Sequence, residues 1–154
     1  MAVAAHVSRV AKDYAPFGYS IMESVSATIT TDAAGTGSTV AHLLLTDDAD
    51  IYIESINIVG ITAVSADNSN FLTISVASMD SGGGHSSAHS TATTAATDPI
   101  FGSDIAANTI YRQTVLVPQV AKSRLLQLKV DKATADTDTN SKTLSVCVRY
   151  RRKA

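Results

Sequence analysis

The stretch TLSVCVRYRR at positions 143–152 decides the fold class of this chain. Its apolar side chains stand at every second position, with small or polar residues between them: Leu144, Val146, Val148 and Tyr150. Successive side chains of a β-strand point to opposite faces, so a period of two is typical of a strand that buries one face.

The same period recurs along the chain from about residue 21. It predicts further strands at 24–30, 39–46, 51–61, 72–76, 109–117 and 124–130, and a weaker edge strand at 90–96. No helical pattern recurs between these runs, which argues against a parallel α/β sheet. We therefore predict an all-β chain, an antiparallel β-sandwich or jelly roll of about seven to eight strands.

One run changes its parity. Within 51–61 the first two isoleucines stand at positions 51 and 53, but the next two stand at 56 and 58. A buried face cannot change parity unless the strand gains an extra residue. We predict a β-bulge near Glu54 and Ser55.

Residues 1–20 precede the strands and form a predicted N-terminal arm or short helix. Pro16 would end such a helix. The alternative is a frayed terminus. As an arm on a neighbouring subunit, the segment would make contact through its apolar residues at helical spacing: Val3, Val7, Val10 and Tyr14.

Residues 21–154 are predicted to form a single β-sandwich domain, since 154 residues suffice for one core. The segment 79–108 has the weakest strand pattern. It contains SGGGHSS at 81–87 and continues as a mixture of Ala and Thr. We predict a long loop there, which is functional or mobile or includes the edge strand at 90–96.

Charge is unevenly distributed. The chain has twelve basic and fourteen acidic residues, yet four of the basic ones lie in the last six positions: Arg149, Arg151, Arg152 and Lys153. The first 148 residues therefore carry a net charge of −6 and the end carries +4. Without a basic face we expect no nucleic-acid partner. The basic end is either a solvated terminus or a site that docks on an acidic neighbour.

The single cysteine, Cys147, excludes an intrachain disulfide. His6, Arg9 and Lys12 interrupt the apolar start, so we expect no signal peptide. No stretch approaches the roughly 20 apolar residues of a membrane span. We expect that the protein is synthesised in a cytoplasm and does not associate with a membrane.

The sequence offers no catalytic constellation. Only two glutamates are present, and the aspartates lie mostly in predicted turns, where Asp is common for backbone reasons. Ser86 follows His85 without the Gly-x-Ser-x-Gly turn of a hydrolase nucleophile. We predict a protein that is not an enzyme. A small β-sandwich hydrolase is the disfavoured alternative.

Metal and cofactor sites are not predicted either. His85 and His89 would share a face only on a helix, which Gly82 to Gly84 oppose. Asp136 and Asp138 imitate the start of a calcium loop, but the glycine and glutamate that such a loop requires are missing. The loop is interpreted as a polar hairpin, and a weak calcium site of another kind stays an alternative.

The chain resembles the small β-sandwich virion proteins of tailed bacteriophages from about residue 39 to 152. The resemblance lies in IYIESI at 51–56, ADNSNFLTISV at 66–76 and LSVCVRY at 144–150. It implies a capsid decoration (cement) protein, a homotrimer at junctions between capsomers that bridges major capsid protein subunits. It also implies a location on the capsid surface of the virion, after synthesis in the host cytoplasm. The family offers no catalytic residues to carry over.

A second function is consistent with the same fold. A receptor- or carbohydrate-binding β-sandwich of a phage tail fibre or baseplate would present aromatic side chains on its surface. The five Tyr and three Phe residues are few for such a platform.

Overall fold

The computed structural model describes residues 22–33, 35–46, 48–65, 67–79, 85–94, 105–134 and 137–153. The predicted N-terminal arm, residues 1–20, lies outside these ranges, and so do the four apolar residues named for it. Within the described ranges the chain is all-β, as predicted.

The described residues form nine strands. They are β1 (Glu23–Thr30), β2 (Ser38–Leu45), β3 (Ile51–Gly60), β4 (Leu72–Met79), β5 (His85–Thr93), β6 (Ile110–Gln113), β7 (Gln119–Val120), β8 (Leu125–Lys132) and β9 (Thr143–Arg152). One turn of 3-10 helix, Thr137–Thr139, lies between β8 and β9.

The strands make two antiparallel sheets that form a sandwich. The first sheet has the order β1-β9-β3-β6, with β7 also paired to β3, and the second has the order β2-β8-β4-β5. The edges of the first sheet are β1 and the β6/β7 pair, and those of the second are β2 and β5. This confirms the predicted sandwich.

The core lies between the sheets and takes its residues from the alternating apolar positions of both. Each sheet contributes one buried set: Ile51, Ile53, Ile56, Ile58, Leu144, Val146 and Val148 from the first, and Leu72, Ile74, Val76, Leu126, Leu128 and Val130 from the second. Branched aliphatic residues suit a pleated surface that packs against another sheet. Burial of this apolar surface is the main favourable term of folding.

The predicted bulge in β3 is confirmed. The pairing of β3 with β9 shifts between Ile53, opposite Tyr150, and Ser55, opposite Arg149. Glu54 is therefore the extra residue, and the isoleucines before and after it both face the core.

Gly60, the last residue of β3, lies in close contact with the segment 105–106. A Cβ atom on Gly60 would lie 2.5 Å from Cγ2 of Ile105 and 3.3 Å from the carbonyl oxygen of Ala106. Ile105 is fully buried and pairs with Val64 in an isolated antiparallel bridge. Only glycine permits this close approach of the 105–106 segment.

Several boundaries differ from the sequence prediction, and two elements differ most. The segment 79–108, predicted as a loop, contains β5, which is longer than the expected edge strand 90–96 and begins earlier. The predicted run 109–117 gives only the four-residue β6. The sequence HSSAHSTAT of β5 has no large apolar residue. The strand is held by its backbone ladder to β4, with register shifts at two places.

Candidate functional site

The basic residues near the C-terminus lie on β9 and just after it, and do not form a free tail. β9 runs between β1 and β3, so its side chains have neighbours on both sides. Arg151 Nε donates a hydrogen bond to Oε1 of Glu54, the bulge residue, at 2.9 Å. The bulge thus supplies the carboxylate that pairs with this arginine.

Arg152 is the centre of an ion-pair network at the end of the sandwich. Its Nε lies 3.3 Å from the Glu23 carboxylate, and its Nη1 lies 2.5 Å from Oδ1 of Asp48. The hydroxyl of Tyr150 donates to Glu23 Oε2 at 3.1 Å. The guanidinium also lies over the Tyr150 ring, 5.8 Å from its centroid, within range of a cation–π contact.

The network stabilises the protonated forms of Arg152 and Tyr150. Burial lowers the pKa of Arg152, but hydrogen bonding to Tyr150 and the charge of Glu23 outweigh it, and the pKa lies above its ordinary value. Burial, together with the Glu23 carboxylate, raises the pKa of Tyr150. Both side chains therefore keep their proton across the physiological range.

A groove of about 530 Å³ opens beside the end of β9. Polar and charged side chains from strands and from the segments that flank them line it: Asp50, Ser78, Ser87, Gln119, Arg124 and Lys153. The carboxylate of Asp50 accepts the backbone N–H of Lys122 at 2.8 Å and lies 4.0 Å from Nζ of Lys153. Two cations and one carboxylate give the groove a net positive charge, which suits a carboxylate of another chain.

A buried threonine fixes the loop that carries Arg124. Oγ1 of Thr46 lies 2.7 Å from the carbonyl oxygen of Ala121 and 3.0 Å from the backbone nitrogen of Arg124. Thr46 is fully buried, so this turn is tied to the end of β2. The sequence prediction missed Arg124, because a single arginine beside a strand has no pattern that marks it.

The predicted contact residues therefore have different environments. Arg151 and Arg152 are half-buried and paired within the chain. Lys153 is 60 % exposed and only loosely paired. Arg149 is exposed, and no carboxylate of the described residues lies within ion-pair distance of it. Among the basic residues at the end of β9 and in the groove, Arg149, Lys153 and Arg124 are those that a partner can reach.

A second polar region is buried between the edge strands β5 and β6. Nδ1 of His89 donates to the carbonyl oxygen of Val117 at 2.7 Å, and the ring is fully buried. Nε2 of His89, Oγ of Ser90 and both amide atoms of Gln113 have no hydrogen-bond partner among the described residues. Burial lowers the pKa of His89, against a smaller opposing effect of the Val117 hydrogen bond.

The described ranges contain no group of three or more His, Cys, Asp or Glu residues that could hold a metal ion. Asp138 is exposed, and Asp136 and the side chain of His85 lie outside the described part. Cys147 is half-buried on the outer face of the first sheet, opposite Ser26 and Asn57. In the same ranges no helix is long and apolar enough to cross a bilayer.

Comparison with known proteins finds a shared fold but no sequence family. No family model and no curated protein matches the chain. A solved structure that matches is a chain of the "Cyanophage Pam1 capsid asymmetric unit", with a TM-score of 0.51 and 11% identity. The match covers 90% of this chain and 89% of that one, so the two are of similar length and share their architecture almost from end to end.

Two further solved structures match with lower scores. A chain of infectious bursal disease virus, Gx strain, matches at a TM-score of 0.38 and 13% identity, over 88% of this chain and 38% of that one. A chain of Turnip Yellow Mosaic Virus matches at 0.34 and 12%, over 87% and 93%. Scores at this level do not carry a functional argument.

Proposed function

We propose that this protein is a virion structural protein, a capsid decoration (cement) protein that bridges adjacent major capsid protein subunits of a tailed phage. The observation that carries the proposal is the end-to-end fold match with a chain of a phage capsid asymmetric unit of similar length. The resemblance noted in the sequence points to the same class of protein.

The proposed mechanism is physical. A protein that binds only the assembled shell stabilises the assembled state by mass action. In the proposed homotrimer three modest contacts would act together through their high effective concentration. Arg149, Arg124 and Lys153 would meet acidic side chains of the shell, and residues 1–20 would lie on a neighbouring subunit.

The proposed role requires binding and no chemical step. The groove holds one carboxylate, Asp50, and that group is already engaged by Lys122 and Lys153. The receptor- or carbohydrate-binding alternative gains no support, because the aromatic side chains in the described ranges are half-buried or buried: Tyr52, Phe71, Tyr111 and Tyr150.

The test is binding to shells of the major capsid protein encoded in the same genome. The full chain should co-sediment with expanded shells and raise their melting temperature. Arg149→Glu and Arg124→Glu should each weaken co-sedimentation, because they reverse accessible cations. Arg112→Glu, an exposed arginine on β6 with no carboxylate pair in the described part, is the matched control. Wild-type protein that stays in the supernatant at every concentration would contradict the proposal.

Two further variants separate the arm from the basic end. Deletion of residues 1–18 should weaken attachment, and circular dichroism of the free variant serves to check that it is folded. Arg151→Ala with Arg152→Ala should also weaken attachment, but it removes the intrachain pairs with Glu54 and Glu23 as well. Its co-sedimentation is therefore compared at a temperature where circular dichroism shows it folded. If none of these changes affects co-sedimentation, the arm and the basic end do not contact the shell.

The homotrimer is tested separately. Light scattering of the purified protein should give a mass three times the 16.0 kDa of the chain, or a multiple of that trimer. A species that does not contain three chains or a multiple of three would contradict the proposed homotrimer. Binding to the capsid is measured independently of this result.

A further inference from the structure

The sheet edges differ in how far they are protected against pairing with another strand. β2 has a register shift between His42 and Leu44, and β5 has two shifts along its pairing with β4. The edge opposite β1 is divided into the short strands β6 and β7, with Pro118 immediately before β7. Bulges, short strands and proline are the usual means of blocking edge-to-edge association.

β1 has none of these protections. It is eight residues long, and its pairing with β9 runs without a shift from Glu23 opposite Tyr150 to Thr30 opposite Thr143. Its sequence, ESVSATIT, has no proline and no lysine, and its one charge lies at the first residue. In the described ranges no strand pairs with its second side. A long, regular edge that is charged only at its first residue is a template for another strand.

The inner face of β1 is also incompletely covered. Val25 and Ala27 point into the sandwich and pack against the core, yet both are only half-buried, whereas Ile29 is 5 % exposed. The outer residues of the strand are all exposed: Ser24, Ser26, Thr28 and Thr30. A strand added beside β1 would cover the apolar residues of its inner face. The Ser and Thr residues of its outer face would stay in water.

We propose that β1 pairs antiparallel with β1 of a second copy of this chain, so that the two first sheets become one continuous sheet. Two features favour a second copy over an unrelated strand. Antiparallel self-pairing sets each Glu23 near the far end of the partner strand, so that no carboxylates face each other. It also sets apolar residues opposite apolar residues and hydroxyl residues opposite hydroxyl residues.

The register of the pair follows from the alternation. Apolar faces meet only if a residue of β1 lies opposite itself or opposite one an even number of positions away. A two-fold axis at Ala27 sets Val25 opposite Ile29 of the second copy. An axis at Ser26 would set the charged Glu23 opposite Ile29, which is unfavourable because the carboxylate would lose water. Of these two central registers, the one centred on Ala27 is the favoured one.

This contact is closed and two-fold, so it joins either two monomers or two trimers. One strand pair is a small interface, and we expect an association that depends on protein concentration. The first test is the mass of the full chain by sedimentation equilibrium over a range of concentrations up to about millimolar. Ser26→Lys with Thr28→Lys should halve the mass of the largest species, because the proposed register sets these lysines opposite each other.

The matched control adds the same charges to the other exposed edge. Val40→Lys with His42→Lys changes two outward positions of β2 that are also two residues apart, and it should leave the mass unchanged. Two outcomes overturn the proposal. In the first, the wild type is monomeric at every concentration. In the second, the two lysines on β1 leave the mass unchanged. Loss of capsid binding is a separate readout and does not decide whether β1 pairs with a second copy.

Cysteine cross-linking tests the register. The background is Cys147→Ser, because Cys147 lies opposite Ser26 across β1 and β9 and would compete. Under oxidation Ala27→Cys should give a covalent dimer, since residues directly opposite in antiparallel strands have Cα atoms within disulfide range. Ser26→Cys should give much less. Preferential cross-linking through Cys at position 26 would overturn the register, and no cross-linking through either would overturn the contact.

Discussion

The interior of this sandwich has an apolar half and a polar half. Under the central strands β3, β9, β4 and β8 the core consists mainly of Ile, Leu and Val. Under the edge strands β5 and β6 the small Ala92 is accompanied by three buried polar residues, His89, Ser90 and Gln113, whose polar atoms are largely unpaired in the described part of the chain. Apolar burial stabilises the fold, and burial of an unpaired polar group costs free energy. Stability is therefore concentrated at the centre, and the β5–β6 side is the weaker one.

The largest expected effect is at the centre. Ile58→Ala removes a fully buried side chain and should lower the free energy of unfolding by about 2–5 kcal/mol. Ile110→Ala makes the same change at a residue that is 69% exposed and should stay within about 0.5 kcal/mol of the wild type. Denaturant unfolding of both variants measures the difference. Equal losses would mean that the interior is not the one described.

The second effect is a pH dependence that comes from His89. Because the pKa of His89 is lower in the folded protein than the ordinary value of 6.5, the folded state favours the neutral ring. The stabilisation is fully present above about pH 6.5 and is lost as pH falls below it, at no more than about 1.4 kcal/mol per pH unit for one proton. The physical reason is that a proton on Nε2 would be buried without an acceptor in the described part of the chain.

The comparison between two histidines isolates this effect. His89→Asn keeps a donor toward Val117 and cannot be charged, so the unfolding free energy of this variant should fall less between pH 7 and pH 5 than that of the wild type. His42→Asn alters an exposed histidine on β2 and should follow the wild-type curve. If His89→Asn and the wild type lose the same amount, folding does not lower the pKa of His89.

The two halves also differ in how well the sequence predicts them. The bulge at Glu54 was predictable because a buried face forces isoleucines 53 and 56 to the same side of the sheet. β5 was not, because its ladder to β4 uses backbone groups that every residue has, and its buried residues are His89, Ser90 and the small Ala92. A period of two in hydrophobicity appears only where the interior is hydrophobic.

The candidate site was also predictable only in part. The concentration of basic residues at 149–153 was visible in the sequence, but their partners were not. Arg151 meets Glu54 because β9 lies beside β3, and Arg152 meets Glu23 because β9 also lies beside β1. Strand order within a sheet is set by the packing of the whole chain, so these pairs could not be assigned from local patterns.

The smallest expected effect tests whether the polar half really costs stability. Gln113→Met keeps the length of the side chain and removes two buried amide atoms that have no partner among the described residues. An unpaired buried polar group costs about 1–3 kcal/mol, and imperfect packing of the methionine offsets part of what its removal gains. We therefore expect a net change between zero and a gain of about 1 kcal/mol. Gln119→Met, at an exposed position, is the control and should change little. A clear loss of stability for Gln113→Met alone would mean that this amide is satisfied in solution, and that the polar half is an organised hydrogen-bonded region instead of a weak one.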